Sequence, residues 1–317
     1  MKILVTPTSL QPGKNDHMLQ YLQKFSTDLV FNPYGRPLAG KELKELLHDC
    51  DGYIAGVDKI DAEALSDCPK LKVISRYGVG VDGVDFAVAN EKHIKVTNTP
   101  GANSEAVGEL AFAMILALAR NLSYLDTKTR EGEWIRSTGV ELSGKTLAIL
   151  GLGAIGKIVA RCAKGFNMNV IAYDPYIDME YCKEHKISPV SLQEAYAQAD
   201  VISLHLPLLP STRHLIDAKA FEQMKKGVIV INASRGGIID ETAAYAALKS
   251  GKVGGLGLDA FEEEPPKGSA LFEFQNVIAT PHTGAHTKEA TDHMGKMAID
   301  NLIEVLNGKE CKYIVNR

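Results

Sequence analysis

Two doubly wound α/β domains are predicted for this chain, and three observations predict them. Short, nearly continuous apolar runs alternate with helical stretches along its length, as in parallel sheets covered on both faces. A glycine turn, Gly151-Leu-Gly-Ala-Ile-Gly156, joins one such run to a helical stretch. The chain has 317 residues, more than a single core usually accommodates.

Before Pro100 the apolar runs place strands at Lys2–Val5, Asp28–Phe31, Gly52–Ala55, Lys72–Ser75 and Ile94–Thr97, with helices near Asn15–Phe25, Gly40–His48, Asp61–Leu65 and Val84–Asn90. Asn98-Thr-Pro-Gly101 punctuates the chain, and Asn103 or Ser104 can cap the helix that follows, Glu105–Arg120. That helix is apolar nearly all round, which suits a domain or subunit interface as well as an ordinary core. From Asn121 to Lys145 the chain reads as an irregular arm holding the only tryptophan, Trp134. Six strands follow: Thr146–Leu150, Asn169–Tyr173, Val201–Leu204, Val228–Ile231, Gly254–Leu258 and Val277–Ala279. A last helix over Thr287–Leu306 stops near Gly308 and returns the chain to the first domain. The expected boundaries are therefore 1–100 with 287–317 for one domain, and 101–286 for the other.

The stretch Thr146–Asp174 is strand, glycine turn, helix, strand and acid, the context a Gly-x-Gly-x-x-Gly match requires. Gly151 permits the tight turn, Gly153 lets the backbone approach a pyrophosphate, and Gly156 lets helix and strand pack closely. With Ala154 and Ile155 they put free N–H groups and a positive dipole end at the phosphates. Asp174 follows Gly153 by 21 residues, the spacing of an acid that holds ribose hydroxyls. Pro175–Asp178 carry no cation for a 2′-phosphate, so NAD is favoured over NADP.

Composition excludes other classes. A net charge of −4 without a basic run argues against nucleic acid or an anionic membrane as partner. The longest apolar run, Leu110–Ala119, rises only about 15 Å as a helix, short of a bilayer. Five scattered cysteines, with no Cys-x-x-Cys pair, fit buried thiols in a reducing compartment, so a cytoplasmic location is expected.

Ligands of open α/β sheets sit beyond the carboxyl ends of the strands. Those ends read, in order, as the glycine turn, Asp174, His205-Leu-Pro207, Asn232-Ala-Ser-Arg235, Asp259 and Thr280-Pro-His282. The planar fork of Arg235 suits bidentate capture of a carboxylate. His282 is the candidate acid/base, since histidine alone gives and takes a proton near neutral pH unaided. A metal held by His282 and His286 is disfavoured, because Pro281 opposes an established helix there. One of Glu262, Glu263 and Glu264 beside His282 would hold its ring and raise its pKa; spacing does not choose among them.

With these motifs in place, the chain resembles the D-isomer-specific 2-hydroxyacid dehydrogenase family. The resemblance rests on Ser75–Asp82, Asn98–Asn103, Gly144–Gly156, His205–Leu208, Asn232–Gly237, Leu258–Pro265 and Thr280–His282, all in family order. It implies a Rossmann dinucleotide-binding domain inserted in a flavodoxin-like doubly wound substrate domain, with closure of the domains around the substrate. It implies NAD as cofactor and a small 2-hydroxy or 2-oxo acid as substrate. It selects Glu264 as the catalytic acid, Arg235 as carboxylate anchor and His282 as acid/base. It adds Pro207, Thr212, Ala233, Ser234 and Asp259, with His205 and His282, to the cofactor-binding set. It places Arg76, Tyr77, Val79 and Gly80 at the substrate, with Arg76 as a candidate phosphate contact. Ala154 departs from the pattern where relatives often carry arginine. The N-terminal and 75–82 segments are most similar to short phosphoglycerate dehydrogenases, with no C-terminal regulatory domain expected. Alternatives are a hydroxypyruvate or glyoxylate reductase and, in another class, a NAD-sensing corepressor-like binding protein. A homodimer is expected.

Overall fold

The computed structural model describes residues 1–316, which form two compact units: Met1–Asn103 with the stretch from His286 on, and Ser104–Ala285. In the first unit, strands β1 (Lys2–Val5), β2 (Asp28–Phe31), β3 (Gly52–Ala55), β4 (Val73–Arg76) and β5 (Lys95–Thr97) make one parallel sheet in the order β2-β1-β3-β4-β5. This is the flavodoxin-like order. Residues Ile3–Val5 and Tyr53–Ala55 are wholly buried, which is why the sequence shows apolar runs without alternation. Leu43 and Leu47 of helix Gly40–Leu47, and Ala89 of helix Phe86–Glu91, join a core with Tyr53, Ile74 and Val96. Helix Lys288–Leu306 also lies on this sheet: a side chain at Gly52 would meet Leu302 and Leu306 at 3.1 Å, and the Ser75 hydroxyl donates to the Ala298 carbonyl at 2.8 Å.

The second unit holds β6 (Thr146–Leu150), β7 (Asn169–Tyr173), β8 (Ser188–Pro189), β9 (Val201–Leu204), β10 (Val228–Asn232), β11 (Val253–Leu258) and β12 (Val277–Ala279). All pair in parallel, in the order β12-β11-β10-β9-β6-β7-β8. Successive strands run outward in one direction from β6 and in the other from β9. The β6/β9 boundary is thus a topological switch point, where a crevice opens at the carboxyl ends.

Three expected elements are corrected and two open readings are narrowed. Residues 61–65 make a single turn rather than a helix: the Asp61 side chain caps Ala64 N–H at 3.1 Å, and Pro69 stops any extension. Helix Ser104–Ala119 is apolar all round because its own unit buries it; a side chain at Gly108 would lie 2.5 Å from Ile158. Asn103 is not its cap, since Asn103 Oδ1 has no hydrogen-bond partner. Within the expected irregular arm, Leu122–Arg130 is a helix, bent 65° from the preceding one at Asn121, which adopts a left-handed φ of 53°. None of its residues is buried, so it carries no apolar stripe to read. The two-residue edge strand β8, which contains a proline, has no pattern of its own. Among the described residues no single helix is long and apolar enough to cross a membrane.

Candidate active site

The glycine turn leaves β6 and enters helix Ala154–Gly165. Gly151 has φ +101°, and a side chain there would lie 2.5 Å from the His205 carbonyl. At Gly156 it would lie 2.2 Å from the Gly151 carbonyl. Both positions therefore require glycine on steric grounds. Gly153 differs: it is exposed, and a side chain would meet nothing within 4 Å, so this glycine leaves open space over the helix N-terminus. No side chain caps that terminus, so the N–H groups of Ala154, Ile155 and Gly156 keep the positive end of the dipole available. Asp174 Oδ2 accepts from Leu152 N–H and Oδ1 from Tyr176 N–H, each at 2.8 Å. The acid thus also braces the turn, a role the spacing did not reveal.

Across the switch point, His205 Nε2 lies 2.8 Å from Ser203 Oγ, while its Nδ1 is buried without a hydrogen-bond partner. Burial pushes this imidazole down to about 4, so it is neutral at ordinary pH. An open glycine, an uncapped helix N-terminus and an orphaned ring nitrogen in one crevice fit a dinucleotide. Pro207 is exposed on the rim. Thr212 closes the loop behind it, donating to the Pro207 carbonyl at 2.6 Å and accepting from Leu209 N–H at 2.7 Å.

The ends of β10, β11 and β12 bring the remaining residues together. Asn232, buried, accepts from Ser234 N–H and Oγ and donates to the Arg235 carbonyl at 2.7 Å, so it shapes the Ala233-Ser234-Arg235 loop. Arg235 Nη1 donates to the Ser234 carbonyl at 2.8 Å. Of the three candidate carboxylates, Glu264 meets His282, with Nδ1 at 2.9 and 3.0 Å from its two oxygens. Glu262 instead lies 3.1 Å from His214.

Asp259, at the end of β11, belongs to the cofactor-binding set that the resemblance implies. In the structure its buried carboxylate accepts from Thr280 Oγ1 at 2.6 Å, Thr283 N–H at 2.7 Å and Gly284 N–H at 2.8 Å, so it organises the loop that carries His282. That loop needs fastening, because His282 has φ +50°. Such backbone costs about 1–3 kcal/mol, and hydrogen bonds to a charged acceptor return about 1.5–3 kcal/mol each.

The electrostatics of the pair follow from its contacts. The hydrogen bond to Glu264 raises the His282 pKa most; burial opposes it, the charges of Glu264 and Asp259 add to it, and Arg235 lowers it. Burial pushes Glu264 upward, but the hydrogen bond and charge of His282, the Phe261 N–H and the Arg235 charge together hold it below its ordinary value. Both partners are charged between the lowered carboxylate and the raised imidazole. Arg235 acts on both, so the three side chains share one electrostatic neighbourhood.

The first unit carries the other expected residues. Arg76 and Tyr77 are both buried. Arg76 is only 7% exposed and donates to the Gly80 carbonyl at 3.0 Å and the Ala55 carbonyl at 2.8 Å, so it frames the loop. Tyr77 is buried, its hydroxyl 2.7 Å from the Thr291 carbonyl, and burial raises its pKa to about 12. Val79 and Gly80 stay accessible. Their carbonyls accept from Asn98 Nδ2 at 2.9 Å and from Arg76 Nε at 3.0 Å. Because a trans peptide points N–H opposite to C=O, the Gly80 and Val81 N–H groups are turned away from these partners.

Comparison with known proteins agrees with this geometry. Residues 112–284 match the model of the D-isomer specific 2-hydroxyacid dehydrogenase NAD binding domain. D-3-phosphoglycerate dehydrogenase of Methanocaldococcus jannaschii is 44% identical over 283 residues, covering 88% of this chain and 54% of that protein. The chain thus spans about half the length of the phosphoglycerate dehydrogenases it matches. Glyoxylate reductase of Korarchaeum cryptofilum is 37% identical, covering 89% of this chain and 87% of that protein. The crystal structure of D-lactate dehydrogenase from Aquifex aeolicus, complexed with NAD and lactic acid, superposes with a TM-score of 0.83 at 30% identity, covering 97% and 96% of the two chains. The chain belongs to the D-isomer specific 2-hydroxyacid dehydrogenase family.

Proposed function

We propose that the chain is a NAD-dependent dehydrogenase that interconverts a D-2-hydroxy acid and its 2-oxo acid. The observation that carries this reading is the Glu264–His282 pair within the field of Arg235, on the sheet edge that also holds the glycine turn. Bound NAD would be held by Gly151–Gly156 and Asp174, and it supplies the hydride acceptor or donor. Arg235 binds the substrate carboxylate through its planar fork, which fixes C2 for transfer. Val79 and Gly80 remain candidates for substrate contact through their backbone. Glu264 occupies His282 Nδ1, so Nε2 exchanges the proton with the oxygen on C2.

The pH dependence follows in sign. In the reductive direction the protonated imidazole donates, so turnover holds below the raised His282 pKa and falls as pH rises through it. Glu264→Gln removes the largest cause of that raised value, so the limb should move to lower pH in a kcat/KM profile. An unmoved limb would separate His282 from Glu264.

For substrate, we favour the phosphoglycerate/phosphohydroxypyruvate couple, on 44% identity to the Methanocaldococcus protein. The buried, carbonyl-bound Arg76 favours instead an unphosphorylated acid such as glyoxylate or hydroxypyruvate. NADH oxidation with phosphohydroxypyruvate, hydroxypyruvate, glyoxylate and pyruvate side by side decides between them. No turnover with any of the four would leave the NAD-sensing reading instead.

We further infer a homodimer working in the cytoplasm. The exposed Leu122, Trp134, Ile135 and Val140 offer an apolar arm to a second copy, and all five cysteines are free thiols, as a reducing compartment keeps them. Light scattering coupled to size exclusion measures the assembly.

A further inference from the structure

The Phe261–Glu262 peptide is gripped from both sides. Its N–H donates to Glu241 Oε1 at 2.8 Å. Its carbonyl oxygen rests against Gly236, where an added side chain would lie only 1.7 Å from it. A planar peptide held at N–H and C=O cannot turn without breaking one contact or the other. Immediately upstream, the Phe261 N–H donates to Glu264 Oε1 at 3.1 Å, and that oxygen lies 3.0 Å from His282 Nδ1. The orientation of the Glu264 carboxylate is therefore inherited from this backbone. Gly236 follows Arg235 directly, so the same peptide joins the arginine loop to the acid loop.

Glu241 is not needed as a helix cap. Asp240 already caps helix Glu241–Lys249, accepting from Thr242 N–H at 2.9 Å and Ala243 N–H at 3.0 Å. The Glu262 side chain reciprocates, accepting from Glu241 N–H at 3.2 Å. Two carboxylates drawn together in this way repel each other. Burial raises the Glu241 pKa most; the hydrogen bond from the Glu262 N–H opposes it, and the Glu262 charge adds to it. With the first turn of the helix satisfied by Asp240, the contact that the Glu241 side chain makes is to the acid loop.

We propose that Glu241 is a positioning residue for the Glu264–His282 pair, acting through the Phe261–Glu262 peptide without touching any reacting group. The inference rests on the dehydrogenase reading for its kinetic readout only.

The test is a series at one position in the full chain: Glu241→Gln keeps an acceptor at the same reach, Glu241→Asp draws it back by one methylene, and Glu241→Ala removes it. The His282 ring is titrated by NMR in each, with steady-state kinetics alongside. The charged groups facing that ring are Glu264, Asp259 and Arg235, all unchanged in the series. Glu241→Ala should move the His282 titration toward its ordinary value and lower kcat about tenfold or more, as a small misplacement does, while NADH affinity is retained. Glu241→Asp should fall between, and Glu241→Gln should restore the wild-type titration. If the alanine variant does not fold, the contrast between Asp and Gln decides. A His282 titration that stays put across the folded variants overturns the proposal, even where thermal stability drops. The titration needs no turnover, so a chain inactive in every form would sink the dehydrogenase reading and still leave this one decided.

Discussion

Replacing His282 by alanine should lower kcat in both directions by about 10²–10⁴-fold, the usual contribution of a positioned acid/base. NADH affinity, read by fluorescence titration, should be retained, because the glycine turn and Asp174 lie on other strand ends and keep their hydrogen bonds. His282→Gln should be nearly as damaging, since an amide matches the ring in polarity but carries no titrating proton. Unchanged turnover in either variant would remove the acid/base from this site.

Arg235→Gln should lower kcat/KM for the 2-oxo acid by about 30-fold or more, the effect of unpairing a buried charge-assisted contact worth about 2–5 kcal/mol. The loss should fall mainly on KM if the fork binds ground and transition states alike. Arg235→Lys should restore charge without the bidentate geometry, so most of the defect in KM should remain. A second readout has the opposite sign to that of Glu264→Gln. The Arg235 charge lowers the His282 pKa, so Arg235→Gln should move the pH limb upward. An unaltered KM for the acid would count against the clamp, and a limb that moves down would place Arg235 away from His282.

The parts of the site that depend on backbone constraint were readable in the sequence. Gly151, Gly156 and the strand before them answer to steric rules that act within a few residues, and the strand ends mark Asp174, Arg235, Asp259 and His282. What could not be read depends on which atoms a fold brings together over long separations. Spacing did not separate Glu264 from Glu262, because the choice turns on which of them lies against a loop 18 residues further on. That Arg76 is buried against the Ala55 and Gly80 carbonyls was not readable either, since those partners are backbone groups 21 and 4 residues away. Asn232 and Asp259 gave no sign that they shape loops, since most of their partners are backbone groups with no residue identity. Helix Leu122–Arg130 was missed for the converse reason, having no buried face to leave a period.

The interrupted first unit has a consequence for biogenesis. Its sheet lies within the first hundred residues, but helix Lys288–Leu306, which packs at Gly52 and Ser75, is translated only after the whole of Ser104–Ala285. On the ribosome the intervening unit therefore emerges with every strand it needs, while the earlier sheet waits with apolar surface uncovered until its last helix arrives. That interval is when the nascent chain is most open to aggregation and most dependent on chaperones.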